Sequence, residues 1–226
     1  MSTQYSPKVV TDGLILALDA GNPKSYTSGS ATWKGLASPG YSASIQGPGT
    51  SNNLYGGSCI FSGSTSFAIT NYLAPSPSVT PTTYEMVFQP VGAINNYSGL
   101  IGYSGYLLNG FSVGMFPNYI VTQGYSGSTG FYLGTYDILT TDRPNHLTVV
   151  FGYRSIKIYH NGTLQNSGTY NFDVPASPVT ARIGNQTQGG WQNTNAQVFS
   201  TKIYSRELSD QEILQNYNAT KTRFGL

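Results

Sequence analysis

The segment of residues 147–168 most constrains what this chain can fold into. Apolar side chains recur there at every second position, which is the period of a β-strand. They are Leu147, Val149 and Phe151 in a first run and Ile156 and Ile158 in a second. Asn161-Gly162 then supplies the dipeptide that best adopts the two positive φ angles of a type I′ turn. The segment therefore predicts consecutive antiparallel strands and favours an all-β fold.

Short strand-like segments separated by glycine and proline turns recur along the rest of the chain. They are residues 13–21, 42–46, 58–70, 83–90, 107–116, 119–122, 131–135, 180–186 and 197–208. Residues 22–57 are rich in Gly, Ser, Pro and Asn, so we expect a long covering loop with one short strand at 42–46. A length of 226 residues suits one sandwich, so we predict a single domain over residues 1–226.

A short helix is predicted after the last strand. Ser209 at the N-cap and Glu212 three residues later form a capping box, and Leu208 with Ile213 forms a hydrophobic staple. These signals predict a helix over residues 208–217 that packs on the sandwich through Ile213, Leu214 and Tyr217.

Charge is scarce, at 9% of residues, and Glu85 is the only charged side chain between Gly35 and Tyr136. With a net charge of +2 and no basic cluster, nucleic acid is an unfavourable partner. The sequence shows neither an apolar run that could insert into a membrane nor the pattern of a cleaved signal peptide. The single Cys59 is expected to be a small buried hydrophobic residue.

The uncharged middle of the chain is rich in Tyr, Ser, Gly and Asn, a composition common in binding surfaces. The side chains that could stack on sugar rings are Tyr103, Tyr106, Tyr119, Tyr125, Tyr132, Tyr136 and Trp191, and those that could bind sugar hydroxyls are Asn193 and Asn195. The alternative is that the tyrosines are ordinary strand and core residues.

Motifs over most of the chain resemble the laminin-G-like members of the concanavalin A-like lectin/glucanase superfamily. They are DGLILALDAGN (12–22), FSGSTSF (61–67), TYEMVF (83–88), LTVVF and IKIYHNG (147–162), RIGN (182–185) and KIYSRELSDQEILQNYNATKTRF (202–224). The resemblance implies a two-sheet antiparallel jelly-roll sandwich with a short C-terminal helix. Some relatives bind calcium; here Asp12 and Asp19 remain as candidate ligands, while Ser62, Asn195 and Gln197 replace carboxylates, so no metal or other cofactor is predicted.

Glucanases of this superfamily need two carboxylates beside the glycosidic bond. The E-x-D-x-x-E pattern of the retaining members is missing, and Glu85 has no second acid two or four positions away. Glu85 is expected to face solvent or to form hydrogen bonds, and His146 and His160 to be surface imidazoles rather than zinc ligands. We therefore predict that the chain is not an enzyme.

The opening DGLILALDAGNPKSY (12–26) and the ending EILQNYNATKTRFG (212–225) resemble laminin-G-like proteins of tailed phages, including marine and cyanobacterial ones. This implies a virion structural protein, exposed on the particle as a capsid decoration or tail accessory subunit. It would be assembled in the host cytoplasm through contacts with other virion proteins and oligomeric or fixed on the particle. The alternative is a carbohydrate-binding module that recognises host-surface glycans on a tail fibre or adhesin.

Overall fold

The computed structural model describes residues 7–37, 40–47, 50–62, 67–73, 75–76, 79–94, 98–102, 109–176, 180–185 and 194–226. Within these ranges the chain forms sixteen β-strands and one α-helix. The strands are β1 (Leu14–Asp19), β2 (Thr32–Lys34), β3 (Ser42–Gln46), β4 (Thr50–Asn52), β5 (Ser58–Phe61), β6 (Phe67–Leu73), β7 (Thr82–Pro90), β8 (Ser98–Gly102), β9 (Gly110–Phe116), β10 (Tyr119–Ser126), β11 (Thr129–Tyr136), β12 (Asn145–Gly152), β13 (Ser155–His160), β14 (Thr163–Thr169), β15 (Thr180–Ile183) and β16 (Ala196–Tyr204). The helix is α1 (Asp210–Phe224), and a short 3-10 turn spans Leu54–Gly56.

The strands form two antiparallel sheets that pack face to face. Sheet A has the order β14-β13-β12-β7-β16-β5-β4, and β1 also pairs with β16. Sheet B has the order β11-β10-β9-β8-β15-β6-β3-β2. This arrangement confirms the predicted all-β, two-sheet antiparallel sandwich. Among the described residues, no helix combines the length and apolar character that a membrane span requires.

The core lies between the sheets and takes alternate residues from each strand. On β7, Tyr84, Met86 and Phe88 point inward, as their spacing predicts. Phe111 of sheet B and Phe151 of sheet A meet across the core with ring centroids 4.2 Å apart. Each such buried side chain stabilises the fold by about 1.5–3 kcal/mol. Cys59 is also buried in this core, as expected, and burial raises the pKa of its thiol to about 12.

The predicted hairpin turn is confirmed between β13 and β14. Asn161 and Gly162 have φ angles of 50° and 76°, which a type I′ turn requires at both positions. The expected long loop at 22–57 is only partly correct. It contains the predicted strand β3, but also β2 and β4, each three residues long, so neither is long enough to show a period.

Helix α1 begins with the predicted capping box. The Ser209 Oγ accepts from the Glu212 N–H, and the Glu212 carboxylate accepts from the Ser209 N–H at 2.9 Å. Leu208 and Ile213 share one buried cluster, which confirms the staple. The helix runs to Phe224, beyond the predicted end at residue 217, and stops at Gly225 with φ 67°.

The predicted buried face of α1 is wrong at one position. Leu214 is exposed, and the buried residues are Ile213, Asn216 and Phe224. The sequence pattern selects only apolar residues, whereas the part of sheet A beneath α1 contains a buried carboxylate that Asn216 binds. The helix therefore covers part of the outer face of sheet A.

Candidate functional site

A row of three aromatic rings crosses the outer face of sheet B. Phe116 of β9, Tyr119 of β10 and Tyr136 of β11 stand directly opposite one another. The Phe116 and Tyr119 rings stack with centroids 4.5 Å apart, and the Tyr136 centroid lies 4.7 Å from that of Tyr119. Because β11 is the edge strand, the row ends at Tyr136, whose side chain is 63% exposed. We call these three residues the aromatic row.

Beside the aromatic row, β11 carries no side chain at Gly134, and we call the resulting gap the trough. The neighbouring outward positions on β9 and β10, Gly114 and Val121, are buried, whereas Gly134 is partly exposed. A Cβ atom added at Gly134 would lie 3.7 Å from the rings of both Tyr119 and Tyr136, an ordinary contact distance. Gly134 thus leaves room at the surface next to two tyrosine rings.

The opposite side of the trough is polar. Ser112, Gln123 and Tyr132 stand opposite one another there, and the Gln123 Nε2 donates to the Ser112 Oγ at 2.9 Å. Ser112 and Gln123 are buried, so Tyr132 is the residue of the three that solvent reaches. Tyr132 is 61% exposed and stands at 87° to the ring of Tyr125, with the two hydroxyl groups in contact. We call the outward residues of β9, β10 and β11 that form the row, the trough and this polar side the β9–β11 surface.

The β9–β11 surface has the chemistry that sugar recognition needs. Aromatic rings pack against the apolar faces of sugar rings, and exposed tyrosine hydroxyl groups can bind the sugar hydroxyls. Burial, and then the neighbouring Tyr136, raise the pKa of Tyr119 above its ordinary value. The rings are held by a regular sheet, which limits the ordering cost of binding.

Four of the predicted sugar-binding residues belong to this surface: Tyr119, Tyr125, Tyr132 and Tyr136. Tyr119 and Tyr136 lie in the aromatic row. Tyr132 is exposed as expected, whereas Tyr125 is buried and contacts Tyr132 rather than offering a free ring face. The predictions for Tyr103, Tyr106, Trp191 and Asn193 concern residues that lie outside the described residues.

Asn195 is the predicted site residue that the structure places elsewhere. It directly precedes β16 of sheet A, and its backbone carbonyl accepts from the Val91 N–H at 2.8 Å. Its position is therefore fixed by the end of β7, not by β10 or β11.

Sequence reasoning missed Phe116, Ser112 and Gln123. The two-residue connection Pro117-Asn118, which places Phe116 opposite Tyr119, was the signal that could have identified the row.

Glu85, the one acidic residue between Gly35 and Tyr136 in the sequence, lies on the opposite side of the sandwich from the β9–β11 surface. It is 1% exposed on the outer face of sheet A, beneath α1. Its carboxylate lies 2.5 Å from the Lys202 Nζ, 3.3 Å from the His146 Nε2 and 2.6 Å from the Asn216 Nδ2. The hydrogen-bonded alternative for Glu85 is confirmed, and the solvent-facing alternative is wrong.

These contacts fix the ionisation of Glu85. Burial alone would raise its pKa, but Lys202 and His146 outweigh burial and hold the pKa well below the ordinary range. Glu85 is thus a buried, ionised carboxylate that anchors α1. A general acid must reach its substrate and carry a proton to donate, and Glu85 does neither.

The expectation that His146 and His160 are surface imidazoles is wrong for His146. His146 is fully buried and its ring packs against Tyr217 of α1, because the helix covers this part of β12. His160 is only partly buried, and its Nε2 lies 3.1 Å from the Asn145 Oδ1. Burial, followed by His146 and Arg143, lowers the pKa of His160 to about 4.

Both candidate calcium ligands form ion pairs with arginine. The Asp19 carboxylate accepts from Arg223 at 2.7 and 2.9 Å and from the Gly21 N–H at 2.8 Å. Asp12 lies 2.9 Å from the Nε of Arg206. Within the described ranges, no three His, Cys, Asp or Glu side chains come together as a metal site would need.

Comparison with solved structures shows many molecules of the same fold. The binding domain of Paraclostridial Mosquitocidal Protein 1 superposes with a TM-score of 0.72 at 13% identity, over 92% of this chain and 52% of that one. The botulinum neurotoxin serotype D binding domain gives 0.71 at 17% identity over the same fractions. The binding domain of botulinum neurotoxin DC in complex with SialylT gives 0.70 at 15%, again over 92% and 52%. The chain thus spans about half the length of these structures.

The family comparison rests on sequence. No curated protein sequence matches the chain. A laminin-G-like family model, described as the concanavalin A-like lectin/glucanases superfamily, matches residues 61–214, which run from the end of β5 to the start of α1. This chain belongs to the concanavalin A-like lectin/glucanases superfamily.

Proposed function

We propose that this chain is a carbohydrate-binding, receptor-recognition module that acts through the β9–β11 surface and has no catalytic activity. The observation that carries the proposal is the pair of exposed tyrosine rings on β11, Tyr136 at the end of the aromatic row and Tyr132 on the other side of the trough at Gly134. A sugar stacked on Tyr136 would have the Tyr132 ring and hydroxyl group within the same surface.

Two further facts support a binding role over a catalytic one. Solved structures of the same fold are named as binding or receptor-binding domains, and one of them is described in complex with SialylT. Glu85 lies on sheet A, where it is buried beneath α1 and inaccessible to a substrate. The surface rich in aromatic residues and the buried carboxylate are therefore on opposite sides of the sandwich.

The test is a glycan array with the intact chain, followed by titration of the best-binding oligosaccharide by calorimetry. Tyr136→Ala and Tyr132→Ala should each weaken binding about two- to tenfold, the loss of one aromatic contact. Gly134→Val should also weaken it, since the added methyl groups would occupy the trough. A β-branched residue suits a strand, so this variant should remain folded.

Tyr153→Ala is the matched control. Tyr153 is 61% exposed, like Tyr132, but lies in the turn between β12 and β13 of sheet A. Its replacement should leave binding unchanged. If no glycan binds, or if Tyr153→Ala weakens binding as much as Tyr136→Ala, the proposed site is wrong.

Four points stay predictions from the sequence. They are the phage origin, the position on a capsid or tail, the assembly with other virion proteins and the single-domain organisation. A particle-bound module with an exposed glycan-binding face would serve adsorption to a host, so the two roles are compatible. Mass spectrometry of purified particles that contain the chain, with antibody labelling, would test this placement. Failure to find the chain on a particle would leave the carbohydrate-binding proposal intact.

A further inference from the structure

The β9–β11 surface is uncharged to an unusual extent, and this restricts which glycans it suits. Residues 86–136 contain no Asp, Glu, Lys, Arg or His, and they include all of β8, β9, β10 and β11. The strand that lies beside the edge strand β11, β14, is also uncharged, and its Asn166 donates to the Gly134 carbonyl at 2.7 Å. The row, the trough and their polar side thus carry no formal charge.

The charged residues at the border of this surface do not favour an acidic ligand. Asp137, directly after Tyr136, is exposed next to the aromatic row. Arg182, a cation on the same face of sheet B, lies on β15, three strands from β10, which is about 14 Å at the spacing of paired strands. Its guanidinium lies over the Phe67 ring, 5.0 Å from the centroid. A carboxylate or sulfate bound at the trough would lie three residues along the chain from Asp137 and three strands or more from Arg182.

We infer that the β9–β11 surface selects neutral oligosaccharides over sialylated, sulfated or uronic-acid forms of the same sugars. This inference rests on the proposed function of that surface. Stacking against tyrosine removes water from the sugar, and an acidic group at the same place would lose hydration without gaining a cation. Tyr132 and Tyr136 are four residues apart on one strand, about 13 Å, so the surface suits an oligosaccharide rather than a single sugar ring.

The test uses pairs of glycans that differ only in one acidic group. An array would display each neutral oligosaccharide beside its sialylated and sulfated forms, and lacto-N-neotetraose and its sialylated form would then be titrated in 0.15 M salt. We expect the neutral forms to bind about five- to tenfold more tightly. Asp137→Asn should narrow this difference by strengthening binding of the acidic form alone.

Asp137→Asn is a conservative probe, because Asp137 has φ 57° and asparagine accepts that left-handed conformation as readily as aspartate. Gly134→Lys adds the opposite charge inside the trough and should shift preference toward the acidic forms. Equal or tighter binding of the acidic forms by the unmodified chain would overturn this inference while leaving the carbohydrate-binding proposal standing. Absence of binding to every glycan would remove both.

Discussion

Replacement of Lys202 by methionine should strongly destabilise the fold. The Lys202 ammonium lies 2.5 Å from Glu85, and the two side chains are 10% and 1% exposed. Without the cation, the Glu85 carboxylate stays buried with only Asn216 and His146 beside it. Removal of one partner of a buried ion pair costs about 3–5 kcal/mol, which is a large part of the total stability of a domain.

Urea unfolding at pH 7, followed by far-ultraviolet circular dichroism, measures this loss. With an m-value of about 2–3 kcal/mol/M, the midpoint of Lys202→Met should fall by about 1–2 M. Lys157→Met is the control, since Lys157 is 42% exposed and lies 3.8 Å from Asp210, and it should change stability by less than about 1 kcal/mol.

The double variant Glu85→Leu/Lys202→Met should recover most of the lost stability. Replacement of a buried ion pair by apolar residues is often close to neutral, and the Asn216 Nδ2 would still contact the Tyr204 hydroxyl at 2.9 Å. The reasoning is refuted if Lys202→Met is as stable as Lys157→Met, or if the double variant is less stable than Lys202→Met alone.

The stabilisation of the fold by the Glu85–Lys202 ion pair should decrease as the pH falls. The pKa of Glu85 is lowered in the folded state, so its contribution is complete above the ordinary glutamate pKa of about 4.3 and declines as the pH falls below it. In Lys202→Met the main cause of that lowering is removed. The difference in free energy of unfolding between the unmodified chain and Lys202→Met should therefore become smaller below about pH 4. Urea unfolding at a series of pH values measures it.

Three further changes test other parts of the structure. Ser209→Ala removes the N-cap of α1 and should cost about 1 kcal/mol in urea unfolding, with Ser205→Ala as an exposed control. Because the folded-state pKa of His160 is lowered to about 4, the chain should lose stability as the pH falls from about 6.5 to 4. The His160→Gln variant should lose less stability over the same pH range in the same assay. Cys59, whose pKa is raised to about 12, should resist iodoacetamide at pH 8 until urea unfolds the chain, as followed by mass spectrometry; rapid labelling of the folded chain would contradict its burial.

Local signals in the sequence predicted the fold well where short-range chemistry decides it. Asn161-Gly162 determines a turn by its φ angles, Ser209 and Glu212 determine a helix start, and the alternation around Met86 determines an inward face. Each of these depends on residues no more than a few positions apart. The three-residue strands β2 and β4 carry no such signal and were missed.

The candidate site was only partly predictable, because it depends on strand register and on which face each sheet leaves open. Composition identified Tyr132, but the aromatic row exists because β9, β10 and β11 align Phe116, Tyr119 and Tyr136. Glu85 alternates with inward residues and so reads as solvent-facing; only the packing of α1 shows that it is buried.

The central claim is that the β9–β11 surface binds carbohydrate, and the most direct test is a nuclear magnetic resonance titration of the intact chain with the tightest-binding oligosaccharide from the array. The account predicts that amide signals of Gly114, Gln123 and Gly134 shift with the ligand, while those of α1 do not. It also predicts that Tyr136→Ala weakens these shifts. Shifts confined to α1 or to residues around Asn195, with β10 and β11 unchanged, would contradict it.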